Sequence, residues 1–295
     1  MSHIAPKDVA AFSPLFRNSE NTISLQAHFR GNINDFSVSD LILSQGDDFR
    51  LTANAEVKDL RNKEEMYLIG SIDELTVDSK KIEPILNNFL PKKQNLPDQI
   101  SRLGIVSFAG DVSGYLKELT AFGSLETALG IVKMDVLFGF NPHRGTDSYV
   151  RGNVLASNFS LGKLLNNNNL DKVSLKLQVE AQKPTYGKMK GHAKGTISDF
   201  YFKGYTYKDI LLDADYDGLR MDGKLSVDDP SGQLWLSGLF DFNDKENPEL
   251  NFKARARNLQ LDKVHLAEKM PYSYLSFSVD ADFRGKNVDE AEGYV

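Results

Sequence analysis

Val150-Arg151-Gly152-Asn153-Val154 and Leu236-Ser237-Gly238-Leu239-Phe240 are two copies of one phrase, apolar–x–Gly–x–apolar, and the recurrence of that phrase decides the fold. It also reads Phe29-Arg30-Gly31-Asn32-Ile33, Leu68-Ile69-Gly70-Ser71-Ile72, Phe108-Ala109-Gly110-Asp111-Val112 and Ala193-Lys194-Gly195-Thr196-Ile197. A seventh copy, Phe283-Arg284-Gly285-Lys286-Asn287, is degenerate at its last position. The copies fall roughly every 40 residues, a period that marks a repeat architecture in which each unit buries its face against the next. The expectation is one continuous β-repeat segment over residues 1–295, elongated and quasi-one-dimensional.

Around the glycines the sequence alternates with period two, as strands with one buried face do. Ile23, Leu25, Ala27 and Phe29 take one face and Ser24, Gln26, His28 and Arg30 the other. Phe49-Leu51-Ala53-Ala55-Val57, Val132-Met134-Val136-Phe138-Phe140, Val173-Leu175-Leu177-Val179, Leu219-Met221-Gly223-Leu225-Val227, Leu250-Phe252-Ala254-Ala256 and Leu275-Phe277-Val279-Ala281-Phe283 repeat the pattern. This predicts antiparallel sheet, polar outside and apolar inside. The glycines are in phase with the apolar positions. Glycine within a strand marks a bend, a bulge or a close approach. Regularly spaced, they predict a sheet bent at the same place in each unit, with an apolar concave face.

Short helices are predicted at Pro6–Phe16, Pro84–Leu90, Pro97–Leu103 and Lys263–Lys269, and turns at Gly46–Asp48, Asn166–Asn169 and Asp228–Gly232.

Composition excludes several function classes. A formal net charge of −6 lacks the basic excess that nucleic-acid binding needs. The absence of cysteine rules out disulfides, zinc–thiolate sites and a cysteine nucleophile. No apolar run is long enough to span a bilayer as a helix, and the first residues do not open a signal sequence. The chain stops in mid-phrase at Gly293-Tyr294-Val295, as a section of a longer protein would.

No constellation points to catalysis, so no enzyme, cofactor or metal is expected. His3, His28, His143, His192 and His265 are scattered, and neither HExxH, GxSxG nor a P-loop occurs. Asp213-Ala214-Asp215-Tyr216-Asp217-Gly218 matches the first half of a calcium loop, but Lys224 stands where the bidentate glutamate belongs. With Ile210, Leu212, Ala214 and Tyr216 alternating against them, Asp213, Asp215 and Asp217 read as a solvated strand face. A weak partial cation site is the other reading. Asp280 and Asp282 share an outward face and single out no acid–base pair.

The apolar face itself is the functional candidate. If two sheets close on one another it is a core; if the sheet stays open it is an apolar trough. A trough would favour acyl chains by about 0.8 kcal/mol per methylene buried.

The segment Ile4-Ala5-Pro6-Lys7-Asp8-Val9-Ala10-Ala11-Phe12-Ser13-Pro14, followed by a strand, the Gly31 phrase and Asp40-Leu41-Ile42-Leu43, resembles a recurring segment of TamB proteins of the Bacteroidetes type. The stretch from Tyr207-Lys208-Asp209-Ile210-Leu211-Leu212 through Met221–Pro230 to Gly238-Leu239-Phe240-Asp241-Phe242 is similar to the same AsmA-like family. The resemblance implies an all-β, curved antiparallel β-taco and a passive role: an interior section of a periplasmic conduit carrying phospholipids toward the outer membrane. It implies an inner-membrane anchor and a partner barrel of the BamA/TamA type, both engaged through regions outside this chain.

On that reading Leu25, Phe29, Leu51, Val57, Phe108, Met134, Phe138, Leu177, Leu225, Leu236, Phe240, Phe252 and Phe277 contact acyl chains. One rival is an assembly factor that accepts outer-membrane proteins by strand addition at an exposed edge. Another is an extracellular glycan-binding solenoid, which the single Trp235 disfavours.

Overall fold

The computed structural model describes residues 2–4, 23–46, 49–62, 64–89, 95–115, 117–141, 146–184, 187–244, 246–265, 274–285 and 292–294. Among the described residues strand makes up 73% and helix 7%, so the fold is all-β, built of antiparallel sheet that is open and curved. The chain divides into two compact units, Met1–Phe140 and Asn141–Val295.

The first unit carries β1 (Ser2–Ile4), β2 (Ile23–Gly31), β3 (Phe36–Gln45), β4 (Phe49–Lys58), β5 (Tyr67–Asp78), β6 (Ile105–Tyr115), β7 (Glu118–Thr127) and β8 (Gly130–Asn141). Each pairs antiparallel with the next along the chain. Between β5 and β6 lie helix α1 (Ser79–Phe89) and a 3-10 turn, Ile100–Leu103. The second unit runs β9 (Thr146–Ser160), β10 (Leu170–Pro184), β11 (Lys190–Phe202), β12 (Tyr205–Asp217), β13 (Arg220–Asp229), β14 (Gly232–Asp241), β15 (Glu249–Gln260), β16 (Tyr274–Arg284) and β17 (Glu292–Tyr294), again a meander of antiparallel neighbours. Helix α2 (Leu161–Leu165) joins β9 to β10.

Tight reversals keep the meander in register. Lys203 and Gly204 turn β11 into β12 with φ of 48° and 90°, the positive pair that a hairpin twisting with its strands requires. At the β13–β14 corner Asp229 accepts from the backbone N–H groups of Ser231 and Lys208, each at 2.8 Å, and from the Tyr205 hydroxyl. Asp229 and Ser231 are 8% and 5% exposed, so the corner is an inward-facing polar knot with its groups satisfied.

The helical expectations are partly corrected. Helix α1 begins at Ser79, not Pro84, because the Asp78 carboxylate caps it, accepting from the Lys80 N–H at 2.9 Å; Pro84 lies within the helix. The Pro97–Leu103 expectation shortens to the 3-10 turn, ended by Gly104 at φ 73°. Residues 261–265 form turns where a helix from Lys263 was expected, and the rest of that segment, like Pro6–Phe16, lies outside the described residues. Helix α2 was not foreseen; five residues carry too little periodicity to read.

Bulges break the alternation. Asp40, Asn158 and Asn258 take φ of 52°, 52° and 50° inside β3, β9 and β15, each where the ladder slips. Their amides donate across the ladder, Asp40 to Asn54 Oδ1 (3.0 Å), Asn158 to Ser174 Oγ (3.1 Å) and Asn258 to Ser276 Oγ (2.9 Å). Short Asx side chains tolerate the left-handed conformation, and the cross-strand acceptor satisfies the amide that the bulge removes from the ladder.

Candidate functional site

Register assembles the apolar positions into rows that run from strand to strand. In the first unit Leu25 faces Leu43, then Leu51, Leu75, Phe108, Leu125 and Val132 in succession. A parallel row on the same face links Phe36, Val57, Leu68, Gly114, Leu119 and Phe138. In the second unit Val154, Leu177, Gly195, Leu212, Leu225, Leu236, Ala254 and Val279 form a row. Beside it lies a row of mostly small residues, Gly152, Val179, Ala193, Ala214, Gly223, Gly238, Phe252 and Ala281. Beyond that come Tyr216, Met221, Phe240, Leu250 and Phe283. Small residues thus predominate between a row rich in leucine on one side and a row of large side chains on the other.

Of the seven phrase glycines, Gly152, Gly195 and Gly238 sit within these rows. Six of the seven have φ between 131° and 152°, a region closed to side-chain-bearing residues. At Gly238 a Cβ would stand 2.2 Å from the Asn251 carbonyl oxygen of the facing strand.

Each sequence-predicted acyl-contacting residue falls on this apolar face of its unit. The seven in the first unit are Leu25, Phe29, Leu51, Val57, Phe108, Met134 and Phe138; the six in the second are Leu177, Leu225, Leu236, Phe240, Phe252 and Phe277. Phe108 is buried, Phe29 and Phe138 are 63% and 38% exposed, and the others are half-buried. Within each unit the described strands belong to a single sheet, and its apolar face is shielded in part, with Val136, Ala156, Ala254 and Ala281 buried.

The opposite face is mostly polar and cross-paired, with Phe122, Ile131 and Leu211 standing exposed among its polar residues. The Lys194 ammonium donates to Asp213 at 2.7 Å, and His192 stands 3.1 Å from Asp213 and 2.9 Å from Asp215. The hydrogen bond from Lys194 holds the Asp213 carboxyl below the usual range. Asp213, Asp215 and Asp217 therefore alternate along a strand, not around a loop. Among the described residues no group of three His, Asp or Glu side chains is arranged to hold a metal ion. His28 pairs with Asp40 at 3.2 Å. Asp280 takes Lys253 at 2.8 Å and Asp282 accepts from Asn251 at 2.9 Å.

This polar face also holds a feature that the sequence reading passed over. In the second unit a hollow of about 910 Å³ opens over β11–β16, lined by Lys194, Lys224, Lys253, Arg255 and Arg257 with Asp213, Asp280, Leu211 and Trp235. The Arg257 guanidinium lies 5.6 Å from the Trp235 ring centre. The signal was present in the sequence as basic residues recurring at polar positions of successive strands, but only the register brings them together.

Among the described residues no helix is long and apolar enough to cross a membrane. No family model, curated protein or solved structure matches the chain.

Proposed function

We propose that this chain is a section of a lipid conduit in which the apolar face carries acyl chains while headgroups stay in water. One observation carries the reading. Rows of half-buried apolar side chains cross the apolar face of each unit from strand to strand. Phe29, Met221 and Phe138 stay exposed on that face, and exposed apolar side chains gathered together mark an interaction site. A sixteen-carbon tail laid along it would gain on the order of 10 kcal/mol gross, before ordering costs.

The resemblance to the TamB family supplies the setting of this proposal: the periplasm, an inner-membrane anchor and an outer-membrane barrel partner reached through regions outside this chain, and phospholipid as cargo. Transport would be passive, with no covalent step.

The test is solvent extraction of the purified chain followed by mass spectrometry. Phospholipid at near-stoichiometric level is the expected result. A lipid-free chain that takes up no fluorescent phospholipid from vesicles would sink the proposal. Peptide binding that persists when the apolar face is made polar would favour strand addition instead.

A further inference from the structure

The hollow on the polar face lies on the other side of the sheet from the apolar rows, and it is basic although the chain is acidic. Five cationic side chains and two carboxylates line it, in a chain of net charge −6. Both carboxylates are engaged, Asp213 by Lys194 at 2.7 Å and Asp280 by Lys253 at 2.8 Å. Lys224, Arg255 and Arg257 have no carboxylate within ion-pair distance among the described residues.

Register sets their geometry. Ser237 lies opposite Lys224 on one side and Lys253 on the other. The two lysines are therefore two strand spacings apart, roughly 10 Å, with the Ser237 hydroxyl between them. Trp235 is two residues along the same face, opposite Arg255. An anionic group above Ser237 is within the combined reach of two ammonium groups and one guanidinium. A body attached to it would lie along Trp235 and Leu211, which are 39% and 56% exposed.

We propose that this hollow binds a phosphate ester carried on an apolar or ring-bearing body. Three acceptor oxygens on a tetrahedral centre suit converging lysines and the fork of Arg255, and an exposed indole beside them offers a stacking or apolar surface. The neighbouring row on the same face bears Asp215, Asp222 and Asp282, which repel any anion extending past the hollow. The ligand is therefore compact, not a nucleic-acid backbone. Its source is a lipid headgroup or a soluble phosphate ester. The inference does not rest on the acyl-chain reading.

Trp235 is the only tryptophan in the chain, so its fluorescence reports directly on the hollow. The experiment titrates the chain with dihexanoyl phosphatidic acid below its micellar concentration and, separately, with phenyl phosphate. A saturable change with either supports the site: with the lipid alone it assigns a headgroup, and with phenyl phosphate as well it assigns the phosphate ester itself. Lys224→Glu with Arg255→Glu should weaken the response on the order of tenfold or more, since each removes a charge-assisted hydrogen bond. Raising sodium chloride to half molar should weaken it too. Asp280→Asn, which removes a competing carboxylate, should tighten it, a gain that no misfolded variant would give. No saturable change with either probe would overturn the proposal, as would a response that the charge-reversed variant leaves undiminished. The readout differs from lipid extraction, so failure here is separable from failure of the conduit reading.

Discussion

The rings of Phe240 and Phe252 stack 5.2 Å apart on the apolar face, and Phe252 lies directly opposite Gly238 in the ladder. The glycine and the aromatic ring are two halves of one device. The missing side chain lets the strands approach, and the ring covers the backbone so exposed.

Gly238→Ala should destabilise the chain by about 2–3 kcal/mol, because φ is 140° and the new Cβ would meet the Asn251 carbonyl. Gly70→Ala should cost less than about 1 kcal/mol, since Gly70 has ordinary φ and its nearest neighbour is a Val112 methyl at 3.3 Å, which can shift. Urea midpoints followed by circular dichroism would compare them. Equal losses would refute the argument that these glycines are needed for backbone conformation.

Leu177→Glu and Phe252→Glu should each abolish lipid pickup in a photocrosslinking assay. Both side chains are half-buried on the apolar face, and a carboxylate there would meet acyl chains instead of water. Lys133→Glu, on the polar face of β8 and away from the hollow, should leave pickup within about twofold, as surface charge changes far from an apolar contact do. Undiminished crosslinking in the Leu177 and Phe252 variants would remove the apolar face from the mechanism.

Asp229→Ala should cost about 2 kcal/mol or more. It strips the buried corner of the acceptor for the Ser231 and Lys208 amides and the Tyr205 hydroxyl. Amide exchange should then accelerate first at the β13–β14 turn. Burial, then the bond to Asp229, raises the Tyr205 hydroxyl above its ordinary value. Its protonated form is the one favoured by folding, so this contribution is complete below the unfolded value near 10 and lost as pH rises through the folded value. Tyr205→Phe should therefore flatten the alkaline limb of the stability profile.

Asp199 and Asp213 are both held below the usual carboxylate range, chiefly by hydrogen bonds from Lys208 and Lys194. A depressed carboxyl stabilises the fold above its unfolded value, near 4, and the gain is lost as pH falls through the lower folded value. Lys194→Gln and Lys208→Gln should make the acid limb shallower, and only modestly, because these are solvent-exposed pairs. Thermal midpoints between pH 2 and 6, as a range about the carboxylate values, would show it. An unchanged slope would mean that neither pair contributes.

Much of this was readable in the chain. Alternation at Phe49–Val57 and Val173–Val179 specified strands and their buried face, because side chains in extended backbone point to opposite sides in turn. The glycine phrase named positions that adopt backbone conformations closed to other residues. The bulges were not readable. Asp40, Asn158 and Asn258 shift the phase of their strands, and nothing local distinguishes them from polar residues on a solvated face. Their conformation depends on an acceptor across the ladder, such as Asn54, Ser174 or Ser276.

The candidate sites divide in the same way. The sequence alone determined which side chains share the apolar side within each unbroken run, since that is a matter of parity along the strand. Tertiary structure decided which of them become neighbours, because register is a relation between strands distant in the chain. It brought Lys224, Lys253 and Arg255 together around Ser237 and Trp235, and it left Phe29, Met221 and Phe138 exposed on the apolar face. Exposure depends on what the folded chain lays over a side chain and is written into no single strand.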